Sequence, residues 1–234
     1  MAQFWIDFDS DPRSDSELLD LFALKWFGAG SPTTQLPQIV DDDGYRAVRH
    51  VRSGTTHNYS AALFLPAGIV ADAQVYVYGR IEVSSTIRET GVAVRVDAAA
   101  IASTLYASTQ RGSEGRAITK LVGTNTGMTV LESTPFSLAN AGSPHSMMLD
   151  VAGTSIRQKV WVGERLEEPA EWQSSVVDAE LEAGYVALWV KGGGQAPSVT
   201  ARILAIGTNG DPAPTGPAGP GGSRRRSPLL LVPK

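Results

Sequence analysis

Between residues 45 and 206 apolar side chains recur at every second position, in short runs closed by Gly, Ser, Asn or Pro. The clearest run is 75–83, where Val75, Val77, Ile81 and Val83 alternate with Tyr76, Tyr78, Arg80 and Glu82. A period of two sends one set of side chains to a buried face and the other outward, which is the signature of a half-buried strand. Val92, Val94 and Val96 repeat the pattern against Ala93, Arg95 and Asp97. Further strands are expected over 45–51, 61–65, 104–108, 117–122, 128–132, 146–151, 155–162, 184–191 and 198–206. Residues 185–190 are apolar on both sides, as suits a strand central to its sheet. Many short strands with turn residues between them predict an all-β chain, an antiparallel two-sheet β-sandwich.

The ends read differently. Ser14-Asp15-Ser16-Glu17 fits a capping box, in which the Ser hydroxyl and the Glu carboxylate satisfy orphan amides of a helix N-terminus. Leu18, Leu21, Phe22, Lys25 and Trp26 follow at helical spacing and Gly28 offers a stop, so a helix is expected over 15–27. Residues 29–43 read as a loop. Residues 212–222, PAPTGPAGPGG, have too few Gly-X-Y triplets for a collagen helix and read as an extended linker. It leads to Arg224-Arg225-Arg226 and then to Leu229, Leu230, Leu231 and Val232, an apolar end that is expected to dock on a partner rather than order alone. The expected organisation is an N-terminal arm with a short helix over 1–44, a sandwich over 45–210, and a linker with an extended C-terminal docking tail over 211–234.

At 42% hydrophobic and 19% charged residues, with a net charge of −4, the chain has the composition of a globular protein and no basic surplus to bind nucleic acid. It has no Cys, hence neither disulfides nor thiolate chemistry. The opening MAQFWIDFDSD places acids where a signal peptide needs a basic region, and no apolar run approaches a membrane span. Cytosolic synthesis without membrane insertion is the expectation, with later exposure outside a cell left open.

Catalytic patterns are missing from the sequence. His50, His57 and His145 are dispersed and no Gly-X-Ser-X-Gly elbow occurs, so a nucleophile-and-base pair is not indicated. Asp41-Asp42-Asp43-Gly44 offers oxygens that suit calcium, but neighbours on an extended segment point to opposite sides, and a solvated turn is the simpler expectation. No cofactor is expected. The Gly-rich pieces at 192–194 and 219–222 lack the strand, helix and Lys-Ser/Thr of a phosphate loop. Exposed aromatics remain as binding candidates. Tyr76 and Tyr78, on the polar side of their strand, and Trp172 are candidates to contact a glycan or another subunit, while Trp161 and Trp172 both also read as core or loop anchors.

The stretch 148–191 holds two β segments, a tight turn, a Pro-Ala-Glu-Trp loop and a Gly-Tyr pair opening a buried strand. Together with Leu149-Asp150-Val151-Ala152-Gly153-Thr154-Ser155-Ile156, Val160-Trp161, Glu168-Pro169-Ala170-Glu171-Trp172, Asp178, Gly184-Tyr185-Val186-Ala187-Leu188 and Gly207-Thr208-Asn209-Gly210, it resembles the concanavalin A-like jelly rolls. That superfamily includes legume lectins, laminin G-like modules, bacterial β-glucanases and modules of tailed-phage virion proteins. The resemblance implies a jelly roll over roughly 45–209. Its glucanase branch carries a Glu-X-Asp-X-X-Glu motif that places two carboxylates in one cleft, and this sequence has none; Glu82 and Glu89 lack an alternating partner. The expectation is therefore a non-enzymatic virion component (tail, fibre or capsid-decorating), partnered by copies of itself and other virion proteins, with a lectin or adhesin for host glycans as the alternative and a β-glucan hydrolase as the less favoured one.

Overall fold

The computed structural model describes residues 2–27, 36–51, 58–82, 89–97, 105–111, 115–122, 129–135, 143–192 and 198–216. In chain order the elements are β1 (Gln3–Asp7), α1 (Asp15–Leu19), β2 (Phe22–Phe27), β3 (Gln38–Asp42), β4 (Tyr45–Val51), β5 (Asn58–Phe64), β6 (Ala73–Glu82), β7 (Glu89–Val96) and β8 (Leu105–Arg111). They continue with β9 (Gly115–Leu121), β10 (Thr129–Pro135), β11 (His145–Ala152), β12 (Ser155–Val162), β13 (Ser174–Val177), β14 (Tyr185–Gly192) and β15 (Ser198–Thr208). All pairings are antiparallel and form two sheets. Sheet A runs β13-β12-β11-β6-β15-β4-β3, with β1 on the second half of β15; sheet B runs β10-β9-β8-β7-β14-β5-β2.

The period of two decides what lies between the layers. Val75 and Val77 of β6, Leu149 and Val151 of β11, and Leu204 and Ile206 of β15 face Val92 and Val94 of β7, Tyr106 of β8, Ile118 of β9 and Leu188 of β14 in one buried cluster. Each such side chain contributes about 1.5–3 kcal/mol when removed from water. Gly79 permits a close approach of β6 to β15, since a Cβ there would run into the Thr200 carbonyl.

The N-terminal residues depart from expectation. The capping box is present, with Ser14 N–H donating to Glu17 Oε2 at 2.8 Å, but α1 stops at Leu19. The segment expected to continue the helix is β2, paired with β5 from Phe22↔Phe64 to Phe27↔Tyr59. Its sequence FALKWF suits either period over so short a run, and an open strand edge offers a hydrogen-bonded ladder plus a core position for Phe22, which meets Phe64 edge-on at 5.8 Å. Within the expected loop 29–43, residues 38–42 form β3, joined to β4 by Asp43 and Gly44 at φ of 56° and 83°. This is the Asp-Gly hairpin geometry that matches strand twist. Residues 3–42 thus add strands to both sheets where an arm was expected.

The start of the expected linker also packs on the sandwich. Gln74 Oε1 accepts from Ala213 N–H at 3.0 Å, Gln3 Nε2 donates to the Pro212 carbonyl at 2.8 Å, and Ala213 is buried. Arg224, Arg225, Arg226, Leu229, Leu230, Leu231 and Val232 lie outside the described residues.

Candidate functional site

The outward face of sheet A carries most of the rings that the sequence singles out. In register across β12, β11, β6 and β15 lie Trp161↔Ser146↔Tyr78↔Ile203 and, one pair along, Lys159↔Met148↔Tyr76↔Ala205. Tyr76 does not serve as an exposed contact. It is fully buried, its hydroxyl meets Ser146 Oγ at 3.1 Å, and burial pushes its phenol up to about 12. The reason is tertiary: residues 163–168 fold back over this part of the sheet. Trp161 Nε1 donates to the Glu164 carbonyl at 2.6 Å, Ser146 Oγ donates to the Gly163 carbonyl at 2.6 Å, and Arg165 lies 5.0 Å from the Tyr76 ring centre while donating to the Ala213 carbonyl. Alternation gives the side of the strand a residue occupies, but not whether a loop later covers that side.

Tyr78, two residues on, stays half-buried beside this covered patch. Burial raises its phenol above the ordinary range, and the nearby charge of Glu164 adds to the rise while that of Arg202 opposes it. Glu164 and Glu167 are both exposed. Half-buried Trp5 of β1, opposite Ala205, packs on the same patch. Across β15 stands Tyr45, 49% exposed, which the sequence reading did not single out. Its ring has the Arg202 guanidinium 4.3 Å from its centre. Arg202 is held in turn by Asp42, with Nε donating to Oδ2 at 2.6 Å and Nη2 to the carbonyl at 2.9 Å, and Asp42 is the cross-strand partner of Tyr45. Asp42 also binds Arg80, at 2.7 Å, and Asp43 pairs with Arg80. The acid run that offered oxygens to a cation is an arginine-paired hairpin.

Trp172 forms a second aromatic position, over β12. Arg157 and Lys159, two residues apart and therefore on one face, approach its ring centre to 4.5 and 4.8 Å. Arg157 pairs with Asp150 at 2.5 Å, and Lys159 donates to Glu168 and to the carbonyls of Pro169 and Ala170. The Pro-Ala-Glu-Trp loop is thereby clamped to the sheet with Trp172 half-buried at its end.

No protein-family model matches the chain, and no curated protein matches it. Solved structures do match in shape. A lichenase, a prokaryotic β-1,3-1,4-glucanase derived from a mouse hindgut metagenome, superposes with a TM-score of 0.54 at 10% identity, covering 89% of this chain and 100% of that one. The Bacillus licheniformis β-glucanase gives 0.54 at 7% identity over 89% and 99%. A Shewanella oneidensis MR-1 protein of unknown function gives 0.55 at 12% identity over 87% and 85%. The fold is a concanavalin A-like jelly roll.

In this jelly roll the acids Glu82 and Glu89 fall on β6 and β7, in different sheets. The outward face of sheet B places Ala61, Ala93, Ala107, Ala187, Leu63 and Leu105 around a fully buried Trp189. At one end of the jelly roll Asp178 accepts from Tyr106 and Lys120, and Lys120 also pairs with Glu180 at 2.7 Å. Burial works against the Asp178 charge, but the bonds from Lys120 and Tyr106 hold its carboxyl below the usual range. His50 sits buried between the sheets with Nε2 3.0 Å from Ser60 Oγ, and His145 is buried with Nδ1 3.0 Å from the Ser143 carbonyl. These contacts tie segments together. Among the described residues, Tyr45 and Tyr78 belong to strands of sheet A, and Trp172 packs over its β12.

Proposed function

We propose that this chain is a non-enzymatic structural component of a tailed-phage virion, a tail, fibre or capsid-decorating protein that uses its jelly roll for assembly or surface attachment. The observation that supports the non-catalytic part is where the carboxylates go: Asp42, Asp150, Asp178 and Glu168 are each paired with Arg or Lys, and so are engaged in contacts that tie strands and loops together. The assembly part is supported by the sequence beyond the last strand, where a Pro/Gly linker leads to Arg224–Arg226 and Leu229–Val232. In this reading the apolar residues bury on a neighbouring virion protein or a second copy and the arginines pair with its acids. Deleting residues 223–234 is expected to reduce incorporation into particles while leaving the melting temperature of the purified protein unchanged. Incorporation at the wild-type level rejects the reading.

A second reading is a lectin or adhesin that attaches to host-surface glycans. The exposed Tyr45 ring beside Tyr78 favours it, because sugar sites combine a stacking ring with nearby polar groups. A glycan array run in the presence of calcium is expected to show signal, and a silent array rejects it. A reducing-sugar assay on mixed-linkage β-glucan is expected to show no turnover under either reading.

A further inference from the structure

We infer that the tail of one copy docks on a second copy of this chain, at the loop 163–168 that covers the outer face of sheet A. Arg224, Arg225 and Arg226 meet Glu164 and Glu167 there, and Leu229, Leu230 and Leu231 meet Leu166. The inference rests on the assembly reading and names the partner of the tail. Charge is divided unevenly along the chain. Residues 217–234 contain Arg224, Arg225, Arg226 and Lys234 and no acid, so within a total of −4 they carry +4 and residues 1–216 carry −8. A basic segment tethered to an acidic body is drawn to the acids that the body leaves unneutralised.

The covering loop leaves two such acids. Glu168 is paired with Lys159 at 2.8 Å and with Arg165 at 3.3 Å, but Glu164 and Glu167 are exposed and pair with no described cation. Between them Leu166 is 96% exposed, and Val162, at the end of β12, is 69% exposed. The loop is held in place by the bonds of Trp161 and Ser146 to it and by Glu164 N–H, which donates to Glu167 Oε2 at 2.7 Å. An exposed leucine between two carboxylates matches, in both charge and polarity, a tail of arginines followed by leucines. A surface already held still loses little freedom on binding. The root of the tail decides which copy is met. The Ala213 carbonyl accepts from Arg165 Nη2 at 3.1 Å, so each tail leaves the sandwich beside its own covering loop. Arg224 lies eleven residues further on, and Pro214, Pro217 and Pro220 favour extended backbone at ~3.1 Å per residue, which carries the arginines ~34 Å from that root. Glu164 and Glu167 are one and two residues from Arg165, so an extended tail overshoots its own loop and reaches that of a neighbour. One tail and one loop per copy make a head-to-tail contact, which builds rings or rows.

The test is sedimentation velocity over a range of protein concentrations on the full-length chain, on Leu166→Ser, on the double variant Glu164→Gln with Glu167→Gln, and on the chain lacking residues 223–234. The full-length chain is expected to associate, and raising NaCl from about 0.05 to about 0.5 M to weaken that association at least about tenfold. All three variants are expected to keep the wild-type melting temperature and to associate at least about tenfold more weakly. Leu166→Ser still supplies a tail and the truncated chain still supplies a loop, so mixing these two is expected to give a 1:1 complex that grows no further. If the full-length chain associates and the Leu166 and glutamine variants associate equally well, the loop is overturned as the docking site. If the full-length chain stays monomeric at every concentration, or if trypsin fails to cut at the arginines of a monomer but cuts them in Leu166→Ser, the second copy is overturned as partner. The assembly reading is judged separately, by incorporation of the truncated chain into particles.

Discussion

Tyr76 and Trp161 stack with ring centres 5.8 Å apart and planes inclined by 26°. They belong to different strands, β6 and β12, and β11 lies between them; Met148 of β11 and Ala213 complete a small second core on the outside of sheet A. This cluster is what attaches residues 163–168 and 211–213 to the sandwich. Trp161→Ala is expected to lower stability by ~3–5 kcal/mol, as for other buried large rings. Tyr76→Phe, which removes only the hydroxyl facing Ser146, is expected to lower it by ~1 kcal/mol. Urea unfolding followed by tryptophan fluorescence measures both. A loss below ~1 kcal/mol for Trp161→Ala shows that the covering loop is held by something else.

Burial lowers the imidazole pKa of His50 to about 4, from 6.5. A depressed pKa in a histidine means the unfolded chain binds a proton that the native chain does not. Stability from this site is therefore complete above about pH 6.5 and is lost as pH falls from 6.5 toward 4, by ~3 kcal/mol in total. Unfolding free energies measured between pH 7.5 and 4 are expected to fall more steeply for wild type than for His50→Leu. Parallel curves reject the assignment.

Gly79→Ala is expected to prevent assembly of sheet A. The added methyl collides with the Thr200 backbone on the adjoining strand, and both strands are central to the sheet, so neither can move without breaking two ladders. Circular dichroism of the soluble fraction checks this, and a soluble variant with the wild-type spectrum refutes it.

Arg95 is 4% exposed and takes up φ of 53° at a bulge of β7, from which its guanidinium donates to the carbonyls of Ala71, Leu181 and Gly153. Three loop carbonyls from three parts of the chain depend on one fork of donors. Lysine cannot reproduce that fork. Arg95→Lys is expected to cost ~3 kcal/mol, close to the loss for Arg95→Ala, by the sum of carbonyls left unpaired. Retention of wild-type stability by the lysine variant removes this account.

The sequence by itself determined that residues 45–206 would be antiparallel strands and, by alternation, which of their side chains would be buried between two layers. Val75, Val77, Leu149 and Leu188 are where the period of two puts them. It also determined the local chemistry of Ser14 with Glu17, because a capping box involves residues three apart. What only the tertiary structure decided depends on contacts between distant segments. FALKWF became a strand because β5 offered it a partner, Tyr76 was covered by a loop that begins at Gly163, far along the chain, and Tyr45 gained its orienting cation from Arg202, whose bond to Asp42 spans 160 positions. Alternation states that a side chain points away from the core. It carries no information about which loop or charge arrives on the outer face, because that follows from the order in which strands are laid side by side in the sheet.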